Sequence, residues 1–258
     1  MIRCNLQRML LKRTLESEQA THLLDDKPAE NLLGLEGVVM RSVPLHRSIV
    51  AIDIERSTAP GRTNPIREEL RNEAYRLLGT ALRTAGIADR HCDPLTDRGD
   101  GVLVLVHPVD DVPKTLLLNP LVPALVSLLA DRNASLDCTE RCRREMRLRV
   151  VVHAGEVHCD GKGYFGEALD VAFRLLDAPK VKGCLRQAVA APLVLVVSED
   201  IYWSIVRHEY EGIPGDTFEP MVRVTVAGRR HRGWVHVPVP LPPAQVAALP
   251  RRAAIMAA

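Results

Sequence analysis

Aromatic residues are scarce in this 258-residue chain: three Phe, four Tyr and two Trp, 3% of the total. That is too few for a platform on which the bases of a single strand would stack. Excess charge of one sign is missing as well. The 34 Lys and Arg stand against 32 Asp and Glu, leaving a formal +2. Nothing in that balance draws the chain to nucleic acid or to an anionic membrane. There is no C-x-x-C pair among the six cysteines, and Cys138 and Cys142, four apart, have no matching second pair to complete a zinc site. The chain is also long enough to bury a core without disulfide staples. Long apolar runs are lacking too. The stretch from Leu116 to Ala130 is broken by Asn119, Pro120 and Pro123, too short and interrupted to cross a bilayer. The start, MIRCNLQRMLLKR, has no sustained apolar region and no small-residue cleavage site. The expectation is a cytoplasmic protein with neither nucleic acid nor membrane as partner.

What is present divides into three parts: an N-terminal extension (1–45) of mixed charge, a central domain (46–238), and a Pro- and Ala-rich tail (239–258). The central part opens with Ser48-Ile-Val-Ala-Ile-Asp-Ile54, a β-branched run that predicts a buried strand. A polar loop follows. Asn64-Pro65 then predicts a helix start, with Asn64 as cap and proline at the first helical position. Leu70, Ala74, Leu77, Leu78, Ala81 and Leu82 carry that helix to about Ile87. Residues 91–106 predict a hairpin turning at Gly99-Asp100-Gly101. Helix is expected over 113–137, a strand over 147–152, a helix over 167–176 stopping before Pro179, a strand over 193–197, a helix over 199–207, and a closing hairpin at 218–227 and 232–238. This order fits an α+β fold with a ferredoxin-like, split βαβ core. The 91–106 hairpin interrupts the alternation a doubly wound parallel sheet needs.

Two carboxylates stand out. Asp53 lies near the end of a predicted strand and Asp100 in a glycine-flanked turn opening another. Carboxylates at neighbouring strand ends can converge, and Mg²⁺ is held by one or two of them plus substrate phosphates. Glycines around Asp100 would let backbone and phosphate approach closely. The loop from Glu55 to Thr63, carrying Ser57 and Thr58, ends at a helix N-terminus, where free N–H groups favour a polyphosphate. The plainer reading stays open: strand-end aspartates often cap turns, and Gly-Asp-Gly is a common turn. Asp170 and Arg174, four apart on one helix face, are either a surface salt bridge or a polar pair facing a ligand.

Four blocks in order, AIDIERST (51–58), DRGDGVL (97–103), RVVVHAGEV (149–157) and GEALDVAFRL (166–175), resemble the catalytic domain of class III adenylyl and guanylyl cyclases. The resemblance covers about residues 46–210. It implies that Asp53 and Asp100, with the carbonyl of Ile54, bind two Mg²⁺ or Mn²⁺ ions. It further implies that Arg174 stabilises charge on the α-phosphate, while Asp170 stands at the ribose position. Ser57 and Thr58 are then substrate contacts, and the substrate is a nucleoside triphosphate converted to a cyclic mononucleotide. Because the family places the metals on one subunit and the arginine on the other, a homodimer with two composite sites is expected. Asp170 replaces the usual asparagine and, ionised, only accepts hydrogen bonds. The base-selecting positions hold Thr96 and Gly163, neither the adenine nor the guanine pattern. Divergent members of bacterial antiphage systems make cyclic pyrimidine nucleotides, so UTP and CTP join ATP and GTP as candidates. Asp97, Arg98, Lys162 and Tyr164 are alternative contacts. His153, where the family often carries histidine, is expected to be structural, and Tyr202 and Trp203 to be packing residues. The competing readings are a degenerate cyclase-like domain that binds without turnover, and a regulatory module of a larger system.

Overall fold

The computed structural model describes residues 43–238, so most of the expected N-terminal extension and the whole C-terminal tail lie outside the described residues. In chain order the elements are β1 (Leu45–Ile54), α1 (Asn64–Thr84), β2 (Thr96–Asp97), β3 (Gly101–Val106), α2 (Leu121–Ala134), α3 (Cys138–Arg144) and β4 (Leu148–Cys159). They continue with β5 (Tyr164–Phe165), α4 (Glu167–Leu176), α5 (Pro179–Gln187), β6 (Leu193–Ser198), α6 (Glu199–Ser204), β7 (Glu219–Val226) and β8 (Arg229–His236). One sheet runs in the order β2-β3-β1-β4-β6-β8-β7, with β5 paired to β4. Only β4 and β6 pair in parallel, as a crossover through α4 and α5 requires. The other pairings are antiparallel. This is the α+β, ferredoxin-like arrangement expected from the sequence, with the β7–β8 hairpin appended beyond β6.

Helices cover both faces, which is why the central strands read as continuous apolar runs. Along β1, Val50, Ile52 and Ile54 join the core under α1 and α2, while Ile49 and Ala51 join the core under α4 and α5. Asp53 shares the second parity, so its carboxylate emerges on the α4 side. The apolar stretch around α2 is core: Leu117, Leu118, Leu121, Leu125 and Leu129 are all buried.

Several boundaries differ from expectation. Thr63, not Asn64, holds the N-cap position of α1, without a side-chain capping bond, and Pro65 occupies the first turn. The expected helix over 113–137 is a 3₁₀ turn at Lys114–Leu117 followed by α2. β4 runs on past His153 and Gly155 to Cys159. α4 stops before Pro179 as expected, and an unexpected further helix, α5, begins at that proline, which suits a first helical turn. The helix expected over 199–207 closes at Ser204 and continues as a 3₁₀ turn.

Candidate functional site

The two carboxylates reach adjoining strand ends. Asp53 is opposite Gly101 in the β1–β3 register, and the Ile54 amide donates to the Asp100 carbonyl at 3.1 Å. Asp100 is therefore one diagonal step from Asp53. The turn owes its shape to glycine. Gly99 has φ +77°, and a Cβ on Gly101 would lie 2.4 Å from the Ile52 carbonyl oxygen. The sequence suggested that these glycines make room for phosphate; in the structure Gly101 makes room for strand β1.

Each carboxylate already has a partner. Asp53, 8% exposed, is ion-paired with Arg149, its register partner across β4. Arg149 also lies 3.8 Å from Asp177, which follows α4. Burial lowers the Arg149 pKa, and its Nε has no hydrogen-bond partner. The Ser57 hydroxyl donates to the Asp100 carboxylate. Ile54, Ser57 and Asp100 line one pocket of about 280 Å³, walled by Asn64, Arg67 and Arg71 of α1. Arg71 is tied to Asp97 at 2.8 Å. Thr58 is exposed on the loop beyond. Arg62 fixes that loop by donating to the carbonyls of Glu55 (2.8 Å), Arg143 (3.2 Å) and Glu145 (2.6 Å).

A second cleft forms around the start of α4. Arg98, Tyr164, Phe165, Asp170 and Phe173 line about 420 Å³, and Arg98 lies flat over the Phe173 ring at 4.0 Å. Two of the alternative contacts proposed from sequence, Arg98 and Tyr164, thus share a cleft with Asp170. Asp170 and Arg174 are exposed. They form no salt bridge with each other, and among the described residues neither has an ion-pair partner. Thr96 sits in β2, its hydroxyl donating to the Pro94 carbonyl at 3.3 Å. Gly163 lies at the far end of β4, in a turn where its amide donates to the Asp160 carboxylate at 3.0 Å. Arg149 and Cys159 are ten residue steps apart along β4, a span of roughly 33 Å in extended strand. Gly163 and Asp53 of one chain therefore cannot contact one small ligand.

Sequence reasoning gave Arg149 no role, although it lies within a quoted block. Its only local signal is a charge at an inward position of a strand; its pairing with Asp53 depends on a register nearly a hundred residues apart. His153 is buried at 5% exposure, and burial pushes its imidazole down to about 4. Tyr202 does pack, stacked on Trp234 at 4.4 Å, but Trp203 is 46% exposed.

The oxygen-only donors suit a hard cation. Among the described residues no cluster of three His, Cys, Asp or Glu could enclose a metal. A closed protein cage is therefore absent from that part of the chain. Mg²⁺ does not need one, since it keeps waters and takes phosphate oxygens beside one or two carboxylates. Asp53, Asp100 and the Ile54 carbonyl, at adjoining strand ends, are the oxygen donors that could hold such an ion.

Solved structures with the same architecture include an adenylate/guanylate cyclase/hydrolase from Silicibacter pomeroyi (TM-score 0.52, 19% identity, covering 77% of this chain and 99% of that one). They also include the adenylyl cyclase CyaB from P. aeruginosa (TM-score 0.51, 12% identity, 78% and 97%) and the guanylyl cyclase Cya2 (TM-score 0.50, 15% identity, 78% and 97%). The chain has the fold of a nucleotidyl cyclase catalytic domain. No family model and no curated protein matches its sequence. At these identities the cyclase likeness establishes architecture; the chemistry rests on the residues themselves.

Proposed function

We propose that this chain is a nucleotidyl cyclase, converting a nucleoside triphosphate to a 3′,5′-cyclic mononucleotide and pyrophosphate. The observation that supports the reading is the placement of Asp53 and Asp100 on adjoining strand ends, with Ile54, Ser57 and Asp100 lining one pocket beside Asp53. In the reaction the ribose 3′-oxygen forms a bond to the α-phosphorus. The bond from that phosphorus to the bridging oxygen of the β-phosphate breaks, and the hydroxyl proton is released. Bound Mg²⁺ or Mn²⁺ would lower the pKa of the hydroxyl and offset phosphate charge. Asp53, Asp100 and the Ile54 carbonyl would hold it. Ser57 and Thr58 face the phosphates from the loop that Arg62 fixes. Arg149, once Asp53 turns to a cation, keeps only the exposed Asp177 at 3.8 Å and can turn its guanidinium to phosphate oxygens.

Arg174 is the residue assigned to the charge that builds on the α-phosphate. It is exposed and, among the described residues, has no ion-pair partner, which fits service across an interface to a second copy. Asp170, Arg98 and Tyr164 then present the ribose and base side of the composite site. Asp170 only accepts hydrogen bonds, and Thr96 and Gly163 supply neither purine pattern, so a pyrimidine triphosphate belongs among the substrates to be tried. Such a soluble-domain activity fits a cytoplasmic setting.

A second reading is nucleotide binding without turnover. It is favoured by the Asp53–Arg149 pair, which neutralises one metal ligand, and by Asp170 in place of asparagine. Incubation with ATP, GTP, UTP and CTP in turn, with Mn²⁺, separates the two. A cyclic product that disappears in Asp100→Ala supports the enzyme. Tight binding of a triphosphate with no pyrophosphate released supports the binder.

A further inference from the structure

The cleft at the start of α4 holds a cation with no counter-charge bound to it. Arg98 sits in the turn between β2 and β3, where its amide donates to the Gly101 carbonyl at 3.1 Å. The next amide, of Gly99, donates to the Asp97 carboxylate at 2.8 Å, so the turn is pinned twice. From there the Arg98 guanidinium lies 4.0 Å from the centre of the Phe173 ring of α4. Stacking covers one face and leaves the N–H edge. Among the described residues that edge has no hydrogen-bond or ion-pair partner. Arg98 is also the one described residue lining the cleft whose side chain carries N–H donors.

A guanidinium held on an aromatic ring is pre-organised and loses little freedom when it bonds a ligand. It only donates. Nucleobases divide on that point. Guanine and uracil carry a carbonyl oxygen where adenine and cytosine carry an amino group. The carbonyl accepts from Arg98; the amino group would meet it donor against donor. Guanine and uracil also carry a ring N–H beside that carbonyl, which a carboxylate accepts. Glu167 lines the same cleft, its carboxylate held only by contacts of 3.9 Å to Arg229 and 4.0 Å to His231.

We propose that Arg98 selects the base, admitting the carbonyl bases of GTP and UTP and rejecting those of ATP and CTP. This rests on the cyclase reading, which puts Asp170 at the ribose and so places Arg98, its neighbour in the cleft, at the base. Selection then comes from a stacked arginine rather than from Thr96 or Gly163.

The test is calorimetric titration of the full-length protein, with Mn²⁺, against the α,β-methylene analogues of the four triphosphates. Carbon in place of the bridging oxygen blocks turnover, so base preference is read from binding alone. One charge-assisted hydrogen bond predicts that the GTP and UTP analogues bind about tenfold or more tighter than the other two. Arg98→Ala should bring the four affinities together. Equal affinities in the unaltered chain, tighter binding of the ATP or CTP analogue, or no binding of any analogue would each overturn the proposal. So would an Arg98→Ala variant that weakens all four alike, since Arg98 would then hold phosphate. Absence of cyclic product from the four natural triphosphates would instead sink the cyclase reading and leave the measured preference standing. The four-way comparison on the unaltered chain decides the matter even if the variant fails to fold.

Discussion

The strand-end pocket and the α4 cleft carry opposite kinds of charge. In the first, Asp100 is spoken for by Ser57 and Arg71 by Asp97, and beside it Asp53 is spoken for by Arg149. At the second, Asp170 in the cleft and Arg174 on the same helix stand exposed, with no ion-pair partner among the described residues. A buried charge must be compensated inside its own chain, because leaving it bare costs several kcal/mol. An exposed one can wait in water for a ligand at little cost. The contrast shows which half of the proposed site is also part of the fold and which half is held only for function.

The largest expected effect breaks the first pocket. Asp53→Asn leaves Arg149 buried without its counter-charge and should cost about 3–5 kcal/mol in urea unfolding. Adding Arg149→Met removes the orphaned charge and should restore most of it; a double variant as unstable as the single would show that the pair is not the cause. His153, on the sheet between the two regions, gives the next effect. Its folded pKa of about 4 lies below the ordinary 6.5, so the unfolded chain takes up the proton first as pH falls. Stability from this group is full above pH 6.5, is lost progressively down to about 4, and amounts to about 3 kcal/mol. In His153→Gln the difference between unfolding midpoints at pH 7 and pH 4.5 should shrink accordingly.

Smaller again is Gly155→Ala under α4. Its Cβ would lie 2.7 Å from that of Ala168, so the helix must lift, at about 1–3 kcal/mol in thermal melts. Arg174→Ala should be the mildest for the fold, within about 0.5 kcal/mol, while lowering turnover by about 100-fold or more. A large loss of stability there would erase the distinction between the two regions.

Much of this layout was legible in the chain. α4 was placed at its observed bounds because Ala168, Leu169, Val171, Ala172, Leu175 and Leu176 mark one apolar face. β1 and β6 were legible because strands covered on both sides show as unbroken β-branched runs. The backbones of Asp53, Ile54 and Asp100 lie at adjoining strand ends, a placement that local turn and strand signals carry. What was missed depends on distant chain. α3 buries none of its residues and so has no periodic signal. α5 hid behind Pro179, which opens a helix as readily as it ends one. The Arg149 partnership is written only in the register of β1 against β4.

The central claim is that two copies build each site, one giving Asp53 and Asp100 and the other Arg174. It is tested most directly by mixing two inactive variants, Asp100→Ala and Arg174→Ala, and measuring cyclic product with the preferred triphosphate. Random pairing in a two-fold dimer predicts recovery to about a quarter of the unaltered activity, one intact site in every mixed pair. A mixture as inactive as its components, with both variants folded and paired, would contradict it.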